Sequence, residues 1–144
     1  MNLPKEFEEY ITKGVVKKGS IDKSRAEFLI KESQTSLEGL KELVEKIGIN
    51  DRNSNLIIKD SYDILMELVR AKMLLLGYSA SGQFAHEAEV SFFKKLNFTI
   101  NEVLFLNELR YHRNSITYYG KILNREYAQK VVNFLEKIYS QLKK

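Results

Sequence analysis

Apolar residues recur at three- and four-residue spacing through most of the chain, and no window of strict alternation competes with them. The first long helix is predicted over Ile21 to Ile47. Ala26, Leu29, Ile30, Ser33, Leu37, Leu40, Val44 and Ile47 form its stripe, Ser20 or Asp22 can cap it, and Gly48 ends it. A second helix spans Leu56 to Leu76, with Ile57, Ser61, Ile64, Leu65, Leu68, Leu75 and Leu76 inward and Asp60, Glu67, Arg70 and Lys72 mostly outside. Two such helices joined by a short polar loop pack antiparallel. A shorter third helix runs from Phe84 to Leu96, with Ala85, Ala88, Phe92 and Leu96 on one side. A fourth runs from Thr99 to about Tyr119, where Thr99 and Glu102 have capping-box spacing and Gly120 marks the end. The fifth covers Arg125 to Leu142, with Ala128, Val131, Val132, Leu135, Ile138, Tyr139 and Leu142 as its stripe.

The remaining segments are short. Leu3 to Lys13 is amphipathic, and Pro4 suits a first helical turn. Gly14 and Gly19 bracket a VVKK connector for which no strand partner is apparent in the sequence. Gly77 to Gln83, GYSASGQ, is the clearest break. Its glycine spacing matches neither common nucleotide fingerprint, and no strand is predicted before it. There is no internal repeat and no linker-like composition. Residues 1–144 therefore read as one all-α domain, an up-and-down bundle of about five helices plus a short N-terminal helix.

Composition narrows the chemistry. The 144 residues contain no cysteine and two histidines, His86 and His112, so neither a thiolate nor a histidine metal site is expected, and no cofactor. A net charge of +4 permits contact with a polyanion and equally fits a lysine-rich surface. The acidic N-terminal residues do not resemble a signal peptide, and no apolar run approaches the roughly 20 residues that span a bilayer. A cytoplasmic protein is expected.

The fourth helix concentrates the unusual residues. Arg110 to Tyr119 holds two arginines, a histidine, an asparagine and three tyrosines, in a chain with six arginines against 17 lysines. At about 100° per residue, Arg110, Arg113, Asn114 and Thr117 share one stripe, continued backward by Leu106 and Val103. Phe105, Leu109, His112, Ile116 and Tyr119 fall on a second stripe, read as the core face; Tyr111 and Tyr118 lie on a third side with Asn107. A helix with apolar residues nearly all round is central in its bundle or covered by a partner. Arginine suits a partly buried phosphate or interface role through its planar fork of donors; a solvated pair of cations beside Glu108 is the alternative. His86 lies in the first turn of the third helix beside Glu87, with no acidic or hydroxyl partner at useful spacing, and reads as a surface or loop-packing histidine rather than a catalytic one.

The stretch LRYHRNSITYYG, residues 109–120, resembles the signature helix of the HEPN superfamily. Residues 15–37, VVKKGSIDKSRAEFLIKESQTSL, resemble the family's first long helix and its approach. Residues 62–95, YDILMELVRAKMLLLGYSASGQFAHEAEVSFFKK, resemble its second helix, loop and third helix. The resemblance implies a helical bundle that commonly forms a homodimer, here through the Thr99–Tyr119 helix. It also implies a ribonuclease or toxin setting, often with a minimal nucleotidyltransferase as partner. The family motif is an arginine, usually followed by a polar residue, then a histidine after four to six intervening residues. Arg113 and Asn114 match its start, but the histidine position is Tyr118, Tyr119 or Gly120; counted from Arg110 it is Ser115, Ile116 or Thr117. Metal-independent RNA cleavage needs an acid–base group, and tyrosine, with a pKa of about 10, is poorly suited at neutral pH. The resemblance therefore implies a non-catalytic or weakly catalytic module. Arg110, Arg113, Asn114 and Tyr118 would bind RNA or nucleotide. A ribonuclease using Arg113 with His112 or Tyr118, and an interaction bundle without ligand, are the other two readings.

Overall fold

The computed structural model describes residues 2–143 and is all-α apart from one two-stranded ladder. Six helices are present among the described residues: α1 (Phe7–Thr12), α2 (Lys23–Lys46), α3 (Ser54–Leu75), α4 (Ala85–Lys94), α5 (Ile100–Tyr119) and α6 (Arg125–Leu142). None is long and apolar enough to cross a membrane.

α3 is the central element, in contact with α2, α4, α5 and α6. Its sequence explains this position. Ile57, Ile58, Tyr62, Ile64, Leu65, Met66, Leu68, Val69 and Met73 all bury, so the apolar surface extends well beyond one stripe. The caps follow the local chemistry. The Asp22 side chain accepts from the Arg25 amide at 3.1 Å and starts α2. Thr99 and Glu102 form the reciprocal capping box of α5, at 2.8 and 3.2 Å, and Gly120 closes that helix at φ 65°. Glu102 also meets Lys137 of α6 at 3.3 Å. Asn55 of α3 holds the α5–α6 connector, donating to the Lys121 carbonyl at 2.9 Å and accepting from the Leu123 amide at 3.0 Å.

Three expectations are corrected. The VVKK connector does have a strand partner: β1 (Val16–Lys18) pairs antiparallel with β2 (Tyr78–Ala80), inside the GYSASGQ break. Val16, buried on the core, makes this pairing worthwhile, a long-range contact that local patterning does not encode. Ile47, Leu75 and Leu76 leave the core because α2 and α3 end there and the chain turns away. Pro4 lies before α1, not in its first turn. Residues 2–5 instead run beside α4 and α5: the Asn2 carbonyl accepts from Asn107 at 3.0 Å, and Leu3 and Pro4 line a small cavity with Val90, Ile100 and Val103.

The ladder is closed by a tight approach of two glycines. The Gly19 amide donates to the Gly77 carbonyl at 2.7 Å, and Gly77 sits at φ 83°. A Cβ at Gly77 would collide with the Gly19 carbonyl oxygen, whereas one at Gly82, at φ 87°, meets nothing. Gly82→Ala is expected to cost about 1 kcal/mol from backbone strain alone. Gly77→Ala should cost at least about 2 kcal/mol, because overpacking adds to that strain. Urea unfolding of the two variants measures the difference.

Candidate functional site

The two arginine positions of α5 lie toward the junction of α3, α4 and α5. Arg110 is only 9% exposed. Its Nε and Nη2 donate to Asn107 Oδ1 at 3.2 and 2.9 Å, and its guanidinium lies 4.7 Å from the Tyr111 ring centroid. Both partners are neutral. A buried cation ordinarily has a carboxylate to offset its lost hydration, and Arg110 has no such ion pair among the described residues. Arg113 is one turn further on, its side chain 20% exposed. Its Nε is 3.6 Å from Asp63 Oδ1 on α3, too far for a hydrogen bond, and that atom is buried without one.

Tyr62 of α3 forms the floor of the junction. It is 1% exposed and its hydroxyl has no hydrogen-bond partner. Burial pushes its pKa well up, the carboxylate of Glu89 adds to that, and the nearby guanidiniums of Arg110 and Arg113 oppose it. Buried polar atoms are satisfied in the great majority of cases. Arg113 Nε, Tyr62 Oη and His86 Nδ1 are all buried without one, and all belong to this junction.

α4 contributes an ion pair that the helical stripe did not reveal. Glu89 is buried and accepts two hydrogen bonds from Arg70 of α3, Nε to Oε2 at 2.8 Å and Nη2 to Oε1 at 3.2 Å. This bidentate geometry is the strong form of an arginine–carboxylate contact. His86 Nδ1 stands 3.4 Å from Glu89 Oε1, and its ring centroid is 6.1 Å from that of Tyr62. His86 thus has both an acidic and a hydroxyl-bearing neighbour, contrary to the sequence reading. Burial raises the Glu89 pKa, but the contacts of His86 and Arg70 outweigh it and hold the carboxyl below its ordinary value.

The other candidates are elsewhere on α5. His112 packs edge-on against Tyr127 of α6, ring centroids 4.8 Å apart. It lines a separate open groove of about 750 Å³ with Phe105, Glu108 and Lys130. Burial, then the charge of Lys121, lowers its pKa, while Glu108 opposes them. Tyr127 donates to Glu108 Oε2 at 3.2 Å. Asn114 is half-buried, and Tyr118 is exposed, as are Tyr119 and Ile122 beyond it. The stripe read as the core face is therefore buried only at Leu109 and Ile116, and partly at Phe105 and His112. The arginine stripe buries as well, at Val103, Leu106 and Arg110. Sequence reasoning missed Tyr62, Arg70 and Glu89. The one available signal was the i,i+3 spacing of His86 and Glu89 on a short helix.

No family model, curated protein or solved structure matches the chain.

The Arg70–Glu89 pair predicts a defined acid response. The folded-state pKa of Glu89 lies below its ordinary 4.5. Its contribution to stability is therefore complete above the unfolded-state value and is lost as pH falls through the folded-state value. Glu89→Ala is expected to cost about 3 kcal/mol near neutral pH, at the low end for a broken buried pair because Arg70 has a solvated edge. Below about pH 4 the difference from wild type should shrink. Denaturant titrations at pH 7 and pH 3.5 measure both.

Proposed function

We propose that this chain is a HEPN-like helical module that binds the phosphate backbone of RNA, or a nucleotide, through Arg110 and Arg113. The observation that carries this reading is Arg110: a residue 9% exposed whose guanidinium, among the described residues, is held by an amide oxygen and an aromatic ring. With Arg113, which makes no hydrogen bond through Nε, it leaves donors of two guanidiniums uncommitted within one helical turn. Fixed, partly desolvated guanidiniums suit phosphate oxygens better than flexible lysines do. Asn114 adds a neutral donor and acceptor beside them. Tyr118, exposed at the end of α5, supplies a ring on which a base stacks.

The resemblance of residues 109–120 to the HEPN signature helix adds two partners to the proposal. One is a second copy of the chain, paired through α5. Exposed Tyr118, Tyr119 and Ile122 supply apolar surface at that end of the helix. The other is a minimal nucleotidyltransferase acting on, or docking against, the same end. Tyr118 stands where the family's motif histidine is expected, so binding rather than turnover is the assigned role of this helix. The chain's net charge of +4 is compatible with an anionic ligand.

Arg113→Ala should leave the helical circular-dichroism spectrum unchanged and weaken binding of a labelled single-stranded RNA by about tenfold. It should also reduce the slope of log affinity against log salt by about 0.7, the loss of one phosphate contact on a single strand. Fluorescence anisotropy across a salt series measures both. Unaltered affinity and slope would remove Arg113 from the interface.

A further inference from the structure

Residues 2–5 and Arg110 share their partners. The Asn107 side chain donates through Nδ2 to the Asn2 carbonyl at 3.0 Å, while its Oδ1 accepts from Nε and Nη2 of Arg110 at 3.2 and 2.9 Å. The Tyr111 hydroxyl accepts from the Asn2 amide at 3.2 Å, while the Tyr111 ring lies 4.7 Å from the Arg110 guanidinium. At the other end of the segment the Lys5 amide donates to the Tyr10 hydroxyl at 3.1 Å. Tyr10 is buried. Burial raises its pKa, and the charge of Arg110 is among the influences that oppose the rise. Among the described residues, every hydrogen bond of residues 2–5 therefore ends on a side chain that holds Arg110 or feels its charge.

The chemistry of Asn107 makes this link directional. A carboxamide has one donating end and one accepting end. With Nδ2 committed to the Asn2 carbonyl, Oδ1 faces the guanidinium and takes two of its donors at once. Asn107 is 1% exposed, so undocking of Asn2 strands a buried donor and leaves the amide free to turn. Tyr111 loses its tether in the same event. Arg110 then loses the hold of both its neutral partners, and no carboxylate among the described residues takes their place.

We propose that residues 2–5 form a strap that positions Arg110. Docked, the strap keeps Asn107 and Tyr111 where they fix the guanidinium for a phosphate oxygen. Undocked, it lets that long side chain spread over many rotamers, and the site binds phosphate more weakly. The assignment rests on the phosphate-binding reading of Arg110 given above and adds a control from outside α5. Leu3 and Pro4 are the apolar part of the strap, lining a small cavity with Val90, Ile100 and Val103, and they take no part in the hydrogen bonds around Arg110.

The Arg110 Nε–H resonance of the isotope-labelled chain reports this hold without RNA. The double variant Leu3→Gly, Pro4→Gly removes the strap's apolar cover and its stiffness, and leaves Asn107, Tyr111 and Arg110 in place. It should speed exchange of that proton with water by at least about tenfold and lower affinity for the labelled single-stranded RNA by about fivefold, the effect of having to immobilise one long side chain on binding. Leu3→Met should behave as wild type in both. Tyr111→Phe keeps the ring against Arg110 but removes the hydroxyl from Asn2, and should move both readouts in the same direction by less. If neither the double variant nor Tyr111→Phe alters the exchange, and only the urea midpoint falls, the strap contributes stability alone. That result overturns the inference and leaves the binding reading standing. Faster exchange with unchanged RNA affinity also overturns it. If the wild-type chain does not bind the RNA, the binding reading falls and the inference falls with it.

Discussion

The burial of α3 on nearly every side is the constraint on which the other elements depend. With Ile57, Ile58, Ile64, Leu65, Met66, Leu68, Val69 and Met73 all needing cover, no single neighbour suffices. α2 and α6 cover one part and share a contact of their own, where Ser33 Oγ approaches the Tyr139 hydroxyl at 3.4 Å. α4 and α5 cover the rest. Each of these side chains contributes on the order of 1.5–3 kcal/mol by leaving water, so the helix fixes its neighbours' positions before any polar contact refines them.

The polar contacts occur where that apolar cover runs out. α4 has only ten residues, a short lever for a helix that must sit on two others. Arg70 reaches it from α3 at the edge of the apolar surface, and the bidentate bond to Glu89 fixes its rotation. That rotation sets where His86 points. Arg110 and Arg113 reach the same junction from α5, on the stripe that Val103 and Leu106 anchor in the core. Packing of apolar residues thus determines where the charged groups meet.

Helices α2 to α6 were legible in the sequence because each carries a local period, and α2, α5 and α6 carry side-chain caps as well. Thr99, Glu102 and Gly120 bound α5 with groups only a few residues apart. The β1–β2 ladder was not legible, since its two strands are some sixty residues apart and three residues each is too short for a pattern to stand out. The strap of residues 2–5 was hidden for a similar reason: its partners, Asn107 and Tyr111, lie at the far end of the chain. At the candidate site, the arginine pair was visible because arginine is scarce here. Glu89 was not, because in sequence it is one carboxylate among nineteen acidic residues, and only burial against Arg70 makes it unusual.

The two histidines show why proximity in sequence misleads on a helix. His112 is adjacent to Arg113, but one residue turns the side chain by about 100°, which carries it to the α5–α6 groove and the ring of Tyr127. Burial there lowers its pKa, and its neighbours offer it a packing surface. His86 is 27 positions from Arg113, yet α4 brings it to the tyrosine whose surroundings that arginine shapes. A motif written along one helix specifies groups on a single element. A junction of three helices can draw groups from different elements, and then only the fold determines which of them meet. In this chain the histidine that comes to Tyr62 is the one in the first turn of α4.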